Sequence, residues 1–327
     1  MIEQNRSEFE KSNILSWHSK GYKGKGSAIV VLDDASKPHE HTRVITPLND
    51  YTDKIGHKTN VCSVVREVAP ETTIYAFSWF GSMKNEIIEW IFEHKEEIDV
   101  INCSFSETID EQQFNRLKDI DIPIIVASGN NSTPYLNTLP KLDWTIAIGA
   151  WEEYRDKRAS YSNYGSELDV VAYTNIYIPT SDGYERTMLF NGTSCAAPVV
   201  SGMLAIYNGW RKENGLPKMA REQTRHFLID NAADKYTEGF DLESGHGLFI
   251  LPAEIPTIEQ TETPHIEESD EMVFKDTGTH WAKQEIDFIS EQKIMNGFPD
   301  GTFQPDKVMT RAEVATVIAR MMGFVKK

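Results

Sequence analysis

NGTSCAAPVVSG, residues 191–202, sets a small hydroxyl residue, Ser194, between a turn and a run of small apolar residues. Two readings are open. Ser194 is either a helix-capping serine or a nucleophile at the head of a long helix, CAAPVVSGMLAIYNGW. In the second reading the Ser194 N–H is one of the unpaired donors at a positive helix end, available to a developing oxyanion. Small side chains at Cys195, Ala196 and Ala197 let such a helix approach a sheet closely. Pro198 is tolerated so near a helix N-terminus. The choice depends on whether the rest of the chain supplies a base, a group to orient it and a second oxyanion donor.

Working outward, SAIVVL (27–32), TTIYAF (72–77), DVINCSF (99–105), IPIIVAS (122–128) and WTIAIGA (144–150) read as strands buried on both faces. Helical patterns lie between them, at 83–98 and 110–120. The alternation predicts an α/β fold with a mainly parallel sheet and functional residues at the carboxyl ends of the strands. Three such places carry chemistry. Asp33 ends IVVLDD, where a carboxylate can orient an imidazole. His57 opens a probable helix in DKIGHKTNVCSVV. Asn130 follows IPIIVASG, where its side-chain amide can donate to an oxyanion. Each alone has an ordinary structural explanation. Asp34 competes with Asp33, since adjacent residues on a strand face opposite ways.

Taken together, the order Asp33, His57, Asn130, Ser194 resembles that of the subtilisin-like serine peptidases. The resemblance runs from about residue 13 to 252. HSKGYKGKGSAIVVLDD, GHKTNV, EVAPETTIYAF, IDVINCSFS, IPIIVASGN, RASYSNYGSELDVVA, NGTSCAAPVVSG and ESGHGLFI carry it. It implies a subtilisin-like three-layer α/β fold and a triad of Asp33, His57 and Ser194. It also implies an oxyanion hole of Asn130 and the Ser194 N–H, with Ser104, Ala127, Ser128 and Gly129 along the substrate cleft. The family pattern favours Asp33 over Asp34.

The chain departs from the family in several places. Lys58 and Asn60 stand where a glycine and a second histidine are usual. Lys58 either lowers the His57 pKa, if close, or points to solvent. Phe105 and Glu107 replace cleft glycines. The segment that holds calcium in many secreted members is missing after His57, so neither calcium nor any other cofactor or metal is expected, and Asp50 and Asp53 read as solvated loop acids. Cys195 follows the serine where methionine is common and reads as a packing residue.

Residues 252–272 hold seven acids, three prolines and no Lys or Arg, a composition that cannot build a core. The expected organisation is a peptidase domain at 1–252, an acidic linker at 253–273 and a small helical module at 274–327. FKD, HWA, GFPDGTFQP and TRAE (310–313) in that module resemble one S-layer homology repeat. Thr310 with Glu313 is also a capping-box pattern, which explains much of TRAE on structural grounds alone. The resemblance implies binding of an anionic secondary cell-wall polymer through Arg311, with Trp281 packing nearby. Because such repeats usually work in threes, a single copy implies either weak binding or three chains assembling as a trimer.

A net charge of −17 argues against nucleic acid or an anionic membrane as partner. The three scattered cysteines indicate neither a disulfide framework nor a zinc site. No stretch reads as a membrane span, and residues 1–13 lack the apolar region of an export signal. Localisation therefore divides between the cell wall or exterior, from the repeat, and the cytoplasm, from the N-terminus. The leading expectation is a serine endopeptidase acting on peptide or protein substrates and held at the envelope. The rival is a subtilisin-fold protein that binds peptide or wall polymer with little turnover.

Overall fold

The computed structural model describes residues 2–52, 56–106, 111–180, 186–257, 274–278, 283–291, 294–298, 300–307 and 309–321. Glu107, Asp53, Trp281 and most of the acidic linker lie outside the described residues. The chain divides into two units, Met1–Ile258 and Glu259–Lys327.

In the first unit the helices are α1 (Arg6–Lys11), α2 (Ile14–Ser19), α3 (His57–Val68), α4 (Lys84–Glu93), α5 (Glu111–Phe114), α6 (Thr193–Glu213) and α7 (Arg221–Asp230). The strands are β1 (Ala28–Asp33), β2 (Thr73–Ser78), β3 (Val100–Cys103), β4 (Ile124–Ala127), β5 (Ile146–Glu152), β6 (Lys157–Arg158), β7 (Val170–Tyr173), β8 (Ile176–Pro179), β9 (Thr187–Phe190), β10 (Ala232–Ala233) and β11 (Leu248–Phe249). The main sheet runs β10-β11-β7-β5-β4-β3-β1-β2, with β6 on β5, and β8 pairs β9 in a separate hairpin. Pairings from β2 across to β11 are parallel; β10 and β6 are antiparallel additions.

Strand side chains alternate between two cores. Ile29 and Val31 of β1 face a cluster built on α3 and α6. Val30 and Leu32 face a second cluster with Ile87, Ile88 and Ile91 of α4. Burial on both faces is why these strands read as continuous apolar runs. The result is the three-layer α/β arrangement expected. Chain order reverses beside β1, whose neighbours are β2 and β3, and the carboxyl ends of strands at such a reversal are where open α/β sheets bind ligands.

Two expected helices are shorter than their patterns. The helix expected over 83–98 stops at Glu93, where the His94 ring stacks on Trp90. The segment expected at 110–120 is one α-turn followed by a 3-10 run, Asn115–Asp119. Helix α6 crosses the interior, and from Gly192 to Trp210 every residue is buried except Ser194, which is half-buried.

The second unit holds α8 (Lys283–Glu291) and α9 (Arg311–Met321), with a turn closed by Phe298 N–H donating to Thr302 O at 2.7 Å. Its buried apolar cluster is Phe274, Ile286 and Phe303. Among the described residues no helix is long and apolar enough to cross a membrane.

Helices α3 and α6 meet where Gly202 leaves no room. A Cβ there would stand 2.7 Å from the Val68 side chain. Gly202→Ala is therefore expected to destabilise the fold by about 1–3 kcal/mol, read as a lower urea midpoint at unchanged slope.

Candidate active site

Asp33 and Asp34 end β1 and do different work. Asp33 is buried at 2% exposure. Its Oδ1 lies 2.8 Å from His57 Nδ1 and accepts the Asp34 N–H at 2.7 Å. Its Oδ2 is buried without a hydrogen-bond partner, among the described residues. Asp34 turns to the start of α3 instead, where its carboxylate accepts from the backbone N–H groups of His57 (3.0 Å), Lys58 (3.3 Å) and Ser36 (3.0 Å), and from the Ser36 hydroxyl. Burial opposes its charge, but those hydrogen bonds outweigh it and hold its pKa below the usual carboxylate value. Asp34 thus caps the helix that His57 begins, and Gly56 is needed because a Cβ there would meet Ser36 at 2.8 Å and Asp34 Oδ2 at 2.9 Å.

The His57 side chain is 38% exposed. Desolvation lowers its pKa, yet the hydrogen bond and charge of Asp33, with the charge of Asp34, raise it above the ordinary value. Phe190 sets its ring against the imidazole, centroids 5.6 Å apart. Lys58 departs from both expectations. It is fully buried, so it does not point to solvent, and its Nζ donates 2.8 Å to Ser78 Oγ, away from His57. Burial lowers the pKa of Lys58, with Asp50 opposing. Asp50 is not a solvated loop acid either. It is half-buried, accepts the Ser78 N–H at 2.7 Å and buries its other oxygen. One turn of sequence could not show that a lysine two places past the cap points inward.

Ser194 lies at the second position of α6. Its hydroxyl donates to the Ser104 carbonyl at 2.8 Å, and among the described residues it makes no hydrogen bond to His57. Ser104 Oγ returns a hydrogen bond to the Ser194 carbonyl at 3.1 Å while accepting from Asn102 Nδ2 at 3.0 Å. Pro198 explains that return. Lacking an N–H, it leaves the Ser194 carbonyl without its helical partner four residues on, and Ser104 fills the vacancy.

Asn130 is exposed, and its Oδ1 accepts from Thr193 N–H (2.9 Å) and Thr193 Oγ1 (3.0 Å). That directs Nδ2 outward. Among the described residues nothing accepts from the Ser194 N–H. A Cβ placed on Gly192 would stand 3.5 Å from Asn130 Nδ2 and 3.6 Å from Ser194 N, so the two donors flank the space over this glycine. Gly192 itself takes φ 98°, a left-handed value; its N–H donates to Tyr161 Oη (3.0 Å) and its carbonyl accepts from Thr174 Oγ1 (3.1 Å).

The residues expected along a cleft cluster at the ends of β3 and β4. Ser104, Ala127 and Ser128 are buried, and Ser128 spends its backbone N–H on Ile148 O. Gly129 N–H donates to Thr193 Oγ1, and the Gly129 carbonyl accepts the Asn163 N–H. Thr193, Tyr161, Thr174 and Asn163, which hold this region, were not singled out from sequence; the stretches RASYSNYG and NGTS contained all but Thr174, with no local sign of which hydroxyl would turn inward. All three cysteines are buried and free, and burial pushes the Cys195 thiol up to about 12.

A family model described as the subtilase family matches residues 25–247, about two thirds of the sequence. The chain belongs to the subtilase family. Another, described as the S-layer homology domain, matches residues 273–315. This subtilase is 30% identical over 219 residues to Subtilisin E of Bacillus subtilis, covering 58% of this chain and 57% of that protein. It is 30% identical over 219 residues to a subtilisin of Bacillus pumilus, covering 58% and 79%. Against a thermostable alkaline protease of Halalkalibacterium halodurans the identity is 26% over 220 residues, covering 59% and 60%. The match thus spans only 57–60% of the length of two of these three relatives. A solved lanthipeptide protease shares the fold at a TM-score of 0.61 with 17% identity, covering 76% of this chain and 93% of that one.

Because Asp33 raises the His57 pKa, protonated His57 stabilises the native state. The contribution is full below about pH 6.5, the unfolded value, and is lost as pH rises through the folded value. NMR titration is expected to place the His57 imidazole above that reference, and Asp33→Asn to bring it down.

Proposed function

We propose that this subtilase is a serine endopeptidase that cleaves peptide bonds through an acyl-enzyme on Ser194. The observation that carries the reading is the pair of spare donors, Ser194 N–H and Asn130 Nδ2, flanking the space above Gly192 beside the half-buried serine. The Ser194 hydroxyl leaves the Ser104 carbonyl, turns to His57 Nε2 and attacks the substrate carbonyl as the imidazole takes its proton. The oxyanion forms between the two donors. His57 then passes the proton to the leaving amine and next activates the water that releases the acyl group. Asp33 holds the Nδ1–H tautomer and stabilises the imidazolium. Ser104, Ala127, Ser128 and Gly129 form the cleft wall along which the peptide lies.

The S-layer homology repeat supports attachment to the cell wall through an anionic polymer, with the 253–273 segment as tether between a peptidase domain at 1–252 and the repeat at 274–327. Arg311 is exposed at the first position of α9, beside the Thr310–Glu313 capping box, in which Glu313 Oε2 accepts the Thr310 N–H at 2.7 Å. The unit exposes Val314 at 42% and Ile318 at 51% while its buried cluster is small, which favours assembly with like units as a trimer. In light scattering the chain is then expected well above its 37.2 kDa monomer mass, and Ile318→Glu is expected to return it to the monomer.

A second reading, a peptide-binding subtilase without turnover, draws on the Ser194 hydroxyl being bonded to Ser104 rather than His57. Fluorophosphonate labelling separates the two. Labelling of Ser194 is expected, abolished in Ser194→Ala and His57→Ala. Asn130→Ala is expected to lower kcat by about 10²–10³, a factor taken from the equivalent donor of a subtilisin. Folded protein that resists labelling would leave the binding reading standing.

A further inference from the structure

Strand β8 packs on α3, the helix that His57 begins. Its Ile176 and Ile178 are buried in the cluster built on α3 and α6. Antiparallel pairing sets Phe190 opposite Ile176 and Met188 opposite Ile178. Residues directly opposite in such a pair share a face, so Phe190 lies on the side of the hairpin that meets α3. A slip of one residue would turn it away and bring Leu189 into its place. Leu189 is instead 44% exposed, and Phe190 is the one residue of β9 that is not exposed. Buried Asn5 anchors β8, its Nδ2 donating to Tyr177 O at 2.8 Å and its Oδ1 accepting the Tyr177 N–H at 2.7 Å.

That placement brings the Phe190 ring against the imidazole, with centroids 5.6 Å apart and planes at 69°, an edge-to-face contact. The imidazole has little else to set its plane. Its Nδ1 is 2.8 Å from Asp33 Oδ1, but one hydrogen bond fixes a distance and leaves the ring to swing about two side-chain torsions, the outer of them soft. Among the described residues Nε2 has no hydrogen-bond partner, and the Ser194 hydroxyl rests on the Ser104 carbonyl. No polar contact therefore sets where Nε2 points. Only Asn191, Gly192 and Thr193 separate Phe190 from Ser194, so one short stretch carries the nucleophile and the ring beside its base. Tyr161 and Thr174 hold Gly192 at its N–H and carbonyl, which fixes that stretch.

We propose that Phe190 is a positioning residue, whose ring holds the His57 imidazole in the plane from which Nε2 takes the Ser194 proton. The assignment rests on the peptidase reading of the site, and Phe190 acts in it through His57. An edge-to-face aromatic contact favours one arrangement over its alternatives by up to about tenfold. A base displaced on the order of 1 Å costs up to about 10²-fold in rate. Losing the contact is therefore expected to slow activation of the nucleophile by roughly a decade and to leave affinity for the reactant nearly unchanged. Three side chains thus divide the control of one histidine. Asp33 sets which nitrogen carries the proton, Asp34 caps the helix start, and Phe190 sets the plane of the ring. A ring that only filled space would change stability and leave the imidazole where it is.

The test uses the full chain with Phe190→Leu, which keeps apolar bulk, and Phe190→Tyr, which keeps the ring. Three-bond NMR couplings about the first side-chain torsion of His57 read its rotamer in the resting protein, without turnover. One rotamer is expected in the unaltered chain and in Phe190→Tyr, and averaged couplings in Phe190→Leu. With a fluorophosphonate probe, Phe190→Leu is expected to lower the maximal labelling rate of Ser194 about tenfold while the half-saturating probe concentration stays within about twofold. Phe190→Tyr is expected to restore the rate. A Phe190→Leu variant with a lower melting temperature but unchanged couplings and labelling rate overturns the proposal. So does a higher half-saturating concentration at an unchanged maximal rate, which would make Phe190 a binding contact. If the unaltered chain takes no label, the peptidase reading fails by itself. The couplings then decide whether Phe190 holds the ring, and a single rotamer retained in Phe190→Leu overturns that as well.

Discussion

The start of α6 must be buried and yet present one serine to solvent, and much of the first unit is arranged around that demand. A helix N-terminus has four backbone donors without intrahelical partners, and burying them unsatisfied is costly. Here Thr193 N–H goes to Asn130 Oδ1, and Cys195 N–H reaches the Gly192 carbonyl at 3.0 Å. Among the described residues, only Ser194 N–H is left over. Pro198 adds a second demand by freeing the Ser194 carbonyl, and Ser104 meets it from the end of β3. The nucleophile candidate is thereby fixed at both its backbone and its side chain by one strand end.

The Asp33–His57 pair depends on the two-residue period of a strand. Asp33 and Asp34 are adjacent on β1, and their carboxylates separate accordingly. Asp33 reaches the imidazole of His57 through its Nδ1, while Asp34 takes the backbone N–H of the same residue. One histidine is held at ring and main chain by consecutive acids. Its helix start is capped, its tautomer is set, and its pKa is raised by both charges. Lys58 and Asp50 both meet the end of β2 at Ser78, so the cation that the sequence places next to His57 is buried and tied to another strand.

Sequence alone determined the alternation of buried strands and helices, because strands covered on both faces must be apolar throughout, and it placed Asp33, His57, Asn130 and Ser194 at element ends. It also carried the capping box at Thr310 and Glu313, since that motif is complete within four residues. Only the tertiary structure decided what needs contacts across the chain. The inward turn of Lys58, the tie of Asp50 to Ser78, the exchange between Ser104 and Ser194, and the clamp of Tyr161 and Thr174 on Gly192 all join residues far apart in sequence. Periodicity says which face of an element is buried. It does not say which partner a polar group finds once buried, because the partner arrives from another strand or helix.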